Sequence, residues 1–123
     1  MDDTAWRQLS AKQREAVVHQ RVFGHDLAAE KQHWRPGDAH SHIPHYSRDI
    51  RSAWLIVDRL YQLAPSPQNT PLCHVHLLGD GRVWTVEVDV GNGRMGEATS
   101  ESVCEALCLA TLRLLSPARE APL

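Results

Sequence analysis

The sequence predicts an α+β domain in which a small antiparallel three-stranded meander is covered by helices, in the order α–α–β–β–β–α. Three observations carry that expectation. Apolar residues recur at helical spacing near residues 10–23, 50–61 and 103–114. Between the second and third of these, the period changes to two in 72-LCHVHLL-78 and 82-RVWTVEVDV-90. The alternating runs are punctuated by 79-GDG-81 and 91-GNG-93, which are hairpin turn signals. A meander this small is not stable alone in water, so the amphipathic helices must cover it.

The first helix is expected from Ser10 to Phe23. Ser10 and Gln13 have capping-box spacing, Val18 and Val22 lie four apart, and Gly24 suits the C-terminal stop. Residues 25–46 show no sustained period and contain Pro36, Gly37, Pro44 and five histidines. They are expected to form a long loop pinned by Trp34 and Tyr46. Ser47 is expected to cap the next helix, with Asp49 in the first turn, where the helix dipole favours an anion. Ile50, Ala53, Trp54, Val57, Leu60 and Tyr61 follow as one apolar face, which places Trp54 in the core. The run 65-PSPQNTP-71 ends this helix.

In the second strand Trp84, Val86, Val88 and Val90 share one face, and a short third strand is expected from Arg94 to Ala98. Thr99 or Ser100 is expected to cap the last helix, with Val103, Leu107, Ala110 and Leu114 toward the core and Ser116-Pro117 as its stop. The whole chain of 123 residues reads as one domain (1–123), with its ordered core at about 10–116 and frayed ends at 1–9 and 117–123.

Composition narrows function by exclusion. A net charge of −2 and a pI near 6.4 provide no general attraction to nucleic acid or to an anionic membrane. No stretch has the length of a membrane span. The odd number of cysteines (Cys73, Cys104 and Cys108) and the absence of an opening secretory segment point to a reducing cytoplasm. Cys104 and Cys108 lie on one side of a helix, where reduced cysteine packs as a small hydrophobe.

The histidines invite a metal reading, since His40/His42 and His74/His76 are both HxH pairs and His45 stands nearby. No HExxH or HxE…CxxC framework accompanies them, and a polar loop with solvent-facing strand histidines accounts for them without a metal. There is also no GxSxG, P-loop or carboxylate pair. The protein is therefore expected not to be an enzyme and to need no cofactor or metal. The element order from residue 47 to 115 is also that of a double-stranded-RNA-binding domain. However, 99-TSESVCEA-106 carries two glutamates and no basic residue where that module holds phosphates, so direct duplex binding is not expected.

Several segments resemble one family. The run 46-YSRDIRSAWLIVDRL-60 is similar to the Tyr-Ser-x-Asp-Ile-x-x-Ala-Trp signature of phage ABA-sandwich-domain proteins. Supporting similarity lies in 16-AVVHQRVFGH-25, in 82-RVWTVEV-88 and in 103-VCEALCLATLRLL-115. The resemblance covers roughly residues 14 to 115. It implies an α/β/α sandwich and a phage or prophage origin, with the cytoplasm of the host cell as the place of action.

Small phage proteins of this kind commonly act by binding, and two modes follow. The first is a host-defence antagonist that sequesters a nucleotide-type immune signal. Such a ligand needs an aromatic surface for its base and arginines for its phosphates. Trp84, Arg82, Asn92, Arg94 and Arg113 are the residues that would supply them, with Arg113 on a surface shared between two chains of a homo-oligomer. The alternative is a protein-interaction module that inhibits a host defence protein such as a nuclease or a CRISPR effector.

Overall fold

The computed structural model describes residues 1–25, 43–63, 74–91 and 94–116. They form helices α1 (Asp3–Gln8), α2 (Ala11–Arg21), α3 (Ile50–Leu63) and α4 (Val103–Leu115), and strands β1 (His74–Gly79), β2 (Trp84–Gly91) and β3 (Arg94–Ser100). The class is α+β, and the order from α2 onward is the expected one. The sheet is a meander ordered β1-β2-β3, antiparallel throughout.

Local chemistry explains the element ends. Ser10 Oγ accepts the Gln13 N–H while the Gln13 side chain accepts the Ser10 N–H, which closes the capping box of α2. Gly24 follows α2 with φ +74°, a left-handed conformation that glycine adopts without Cβ strain. In the β1–β2 turn the Asp80 carboxylate accepts the N–H groups of Arg82 and Val83, which holds its pKa below the usual aspartate range.

α4 packs directly on β2 and β3, and α2 and α3 pack on α4, with α3 also reaching β2. Nine residues of α4 are buried, including Leu107, Cys108, Leu109, Ala110, Thr111 and Leu112, so it is a core helix and not an amphipathic surface one. Gly96 explains how closely it lies: a Cβ there would collide with the Ala110 carbonyl oxygen and crowd the Leu114 amide. Val86, Val88, Val90 and Ala98 line the covered face of the sheet.

Several expectations need correction. Residues 3–8 are helical, not frayed: Asp2 caps α1, Trp6 is buried, and the Arg14 guanidinium stacks on the Trp6 ring while its Nε donates to the Trp6 carbonyl. The last helix is capped by Ser102, because β3 continues through Ser100. Ser47 does not cap α3. It is buried and donates to Glu15, and Asp49 takes the helix-start role by accepting the Arg51 N–H and the Ser52 hydroxyl.

The largest correction concerns Trp54, which is 55% exposed, with Ile50 at 54% and Tyr61 at 60%. The buried face of α3 is Ala53, Ile56, Val57 and Leu60. Apolar residues span roughly 160° of this helix at 100° per residue, more than one packed neighbour can cover. The core takes the side centred on the small Ala53, and Trp54 is left on the flank.

Candidate functional site

The motif Tyr46-Ser47-Arg48-Asp49 builds the most connected polar cluster among the described residues. It enters α3 through a tight turn in which the His45 carbonyl accepts the Arg48 and Asp49 N–H groups. Tyr46 is buried, stacks on Phe23 with ring centroids 5.1 Å apart, and its hydroxyl lies 3.1 Å from His19 Nδ1. His19 in turn stacks on His25 at 4.0 Å.

One helical turn before His19, the buried carboxylate of Glu15 receives the Ser47 hydroxyl at 2.8 Å, the Ser47 amide at 3.3 Å and two donors of Arg48. Burial pushes the Glu15 carboxyl up, but the hydrogen bonds from Arg48 and Ser47 and the charge of Arg48 outweigh it, so its pKa lies below the ordinary glutamate range. These contacts clamp the start of α3 to α2, and so set the rotation at which α3 presents its flank.

That flank is the main apolar surface of the helices among the described residues. Ile50, Trp54 and Tyr61 fall within about 40° of one another around α3 and span about 16 Å along it. Val57 beneath them is buried, so the stripe stands on a packed base. Asp58 and Arg51, both exposed, border it on the solvent side.

The residues expected to hold a nucleotide are not gathered in one place. Arg82 is exposed in the β1–β2 turn, and Trp84 follows it at the start of β2, 38% exposed, its ring lying over Gly79 of the neighbouring strand. Arg94 pairs with Gly91 at the far end of the sheet, whereas Trp84 pairs with Ser100. Six strand steps separate these ends, about 20 Å. Asn92 lies outside the described residues. The Arg113 guanidinium is engaged within the chain, donating to the Met1 and Glu97 carbonyls and to the Asp3 carboxylate. The arrangement thus brings Arg82 and Trp84 near each other and leaves Arg94 apart, with Arg113 committed to the N-terminal segment.

A cleft of about 510 Å³ lies between α1, the start of α4 and the Val83 end of the sheet. Two arginines line it, Arg7 and Arg14, against three acids, Asp3, Glu101 and Glu105. Arg14 pairs with Glu105, and Asp3 with Arg113. This balance does not favour a phosphate.

The cysteines of α4 are set for packing. Burial raises the Cys104 thiol, with the charges of Asp49 and Glu105 adding to it, and burial raises Cys108 further. Of the loop histidines, His45 is exposed, while His40 and His42 lie outside the described residues, as do Trp34, Cys73 and the 65–71 run. Among the described residues no group of three or more His, Cys, Asp or Glu is placed to hold a metal ion, and no helix is long and apolar enough to cross a membrane.

Sequence reasoning missed Glu15, His19 and the Trp54 flank. The signal for Glu15 and His19 was present as polar residues at i and i+4 on the same side of α2 as Val18 and Val22, a pattern that marks a polar group carried into a core.

A family model described as the phage ABA sandwich domain matches residues 16–112, and the chain belongs to that family. The match begins just after Glu15 and ends within α4, so it takes in the Tyr46–Asp49 clamp, all of α3 and the sheet. No curated protein and no solved structure matches the chain.

Proposed function

We propose that this phage ABA sandwich protein is a binding protein without catalytic activity, that it antagonises host defence, and that the flank of α3 is where it holds a host defence protein. The observation that carries this reading is the stripe of Ile50, Trp54 and Tyr61, more than half exposed on a helix whose adjoining face is locked into the core. Tryptophan and tyrosine on a rigid base supply large contact area at low entropic cost, and such residues dominate interface energies. Exposed aromatic clusters rimmed by charge mark contact sites on soluble proteins. The clamp of Glu15, Ser47 and Arg48 supplies the rigidity.

The second reading, capture of a nucleotide-type signal, is supported by the exposed Arg82 standing two residues before the partly exposed Trp84. It has less behind it, because Arg94 is distant and Arg113 is engaged within the chain.

The two readings separate in one comparison. Immobilised wild type, Trp54→Asp/Tyr61→Asp and Arg82→Ala/Trp84→Ala are presented to host lysate, and calorimetry against cyclic dinucleotides, cyclic trinucleotides and cyclic ADP-ribose isomers runs in parallel. The expected result is a retained host protein that is lost with the α3 substitutions and kept with the β2 substitutions, with no nucleotide heat. Nucleotide binding that disappears in Arg82→Ala/Trp84→Ala would replace the first reading by the second.

A further inference from the structure

The two edges of the sheet are unlike. At the β3 edge, Arg113 Nη1 donates to the Glu97 carbonyl while its Nε and Nη2 hold the Met1 carbonyl and the Asp3 carboxylate, so the N-terminal segment is fastened there. This edge strand also carries Arg94 and Glu97. Charged side chains and a covering segment are the usual protection of an edge. Among the described residues β1 ends the sheet on the other side, and its sequence His74–Gly79, HVHLLG, has no lysine, arginine, carboxylate or proline. Leu77 is 43% exposed and Leu78 62%, one on each face.

We infer that the β1 edge pairs with the β1 edge of a second copy of this chain. Strands related by a two-fold axis run antiparallel, so one edge serves both partners. An axis perpendicular to the sheet keeps the helices of both copies on the same side. It also requires residues opposite one another to face the same way, which allows a register with Leu77 against Leu77. That register covers the exposed Leu77 with its own copy and sets Leu78 beside His76 of the other strand.

The strand carries no lysine, arginine or carboxylate, so self-pairing brings no such charges together; a β3–β3 contact would have to displace Arg113 and the N-terminal segment. The protected β3 edges also close the assembly. Two copies give a six-stranded sheet whose outer edges each carry the Arg113 fastening and charged side chains, and growth stops at a dimer. A six-residue ladder is about 20 Å long, which is a small interface, so the dimer forms reversibly and depends on concentration.

Sedimentation velocity from low to high micromolar protein tests this, together with hydrogen exchange of the β1 amides over the same range. Wild type is expected to shift from monomer to dimer, with β1 exchange slowing as the dimer fills. Leu77→Lys and Leu78→Lys are expected to remain monomeric at every concentration while melting near the wild-type temperature. Met95→Lys, on an exposed β3 position, is expected to dimerise like wild type, as is Trp54→Asp/Tyr61→Asp, which separates this edge from the α3 flank. A wild type that stays monomeric overturns the inference, even if it pairs with a foreign strand. So does dimerisation of both β1 variants, or β1 exchange that is independent of concentration. If a lysine variant unfolds, the wild-type exchange measurement decides alone.

Discussion

Removing the Glu15 carboxylate is the perturbation that most directly probes how the signature motif is anchored. Glu15→Ala deletes the acceptor of four hydrogen bonds, two from Ser47 and two from Arg48. Arg48 is nearly half exposed and regains water, so it contributes little to the loss. Ser47 is buried, and its amide and hydroxyl lose their common acceptor. Each buried donor left without a partner costs about 1–3 kcal/mol, so the two give a loss of about 2–6 kcal/mol and a fall in melting temperature on the order of 10 °C or more. Urea denaturation of Glu15→Ala, Ser47→Ala and the double variant measures it as a cycle, with an expected coupling of about 1 kcal/mol or more. A Glu15→Ala protein whose stability lies within about 0.5 kcal/mol of wild type would refute the clamp, since that is the range of ordinary surface substitutions.

The same carboxylate should give the fold an acid limb. The folded-state pKa of Glu15 is below its ordinary value of 4.5, so its contribution is complete above that value and is lost as pH falls through the lower folded pKa. Thermal melts from pH 7 downward should show the decline begin near the ordinary glutamate range, and a smaller decline in Glu15→Gln. Gly96→Ala should destabilise by about 1–3 kcal/mol or more, because the groups it meets are backbone atoms of α4 that cannot rotate away; a melting curve unchanged from wild type would mean that α4 sits further from β3. Trp54→Ala should cost less than about 1 kcal/mol, in contrast to the roughly 3–5 kcal/mol of a buried aromatic. Arg113→Ala should lower stability and speed proteolysis near residues 1–8, and limited digestion followed by mass spectrometry reads that directly.

The parts of this fold legible in the sequence are those written in local code. Ser10 with Gln13 specifies a capping box within four residues, Gly24 marks a left-handed stop, and Val86, Val88 and Val90 alternate because one face of β2 is covered. Element order follows from those periods. What was not legible depends on partners distant in sequence. Ser47 looks like a helix cap until Glu15, 32 residues earlier, takes its hydroxyl. Trp54 belongs to an apolar arc wider than its neighbour can cover, and nothing within α3 says which half is buried. The sequence reading puts Arg113 on a ligand surface shared between two chains. Its partners Met1, Asp3 and Glu97 belong to a segment expected to fray and to a strand, so its role as a fastener could not be anticipated. The family signature was recognisable, and the structure supplies its physical content: Tyr46 and Ser47 dock on α2, and Asp49 starts α3.

The central claim is that the flank of α3 is a contact surface. A photoreactive amino acid placed in turn at positions 54, 61, 84 and 99 tests it in the presence of host extract, with melting curves to show that each variant is folded. The expected result is a covalent adduct to one host protein from positions 54 and 61, and none from 84 or 99. Adducts from position 84 alone, or none from 54 and 61 in folded protein, would contradict it.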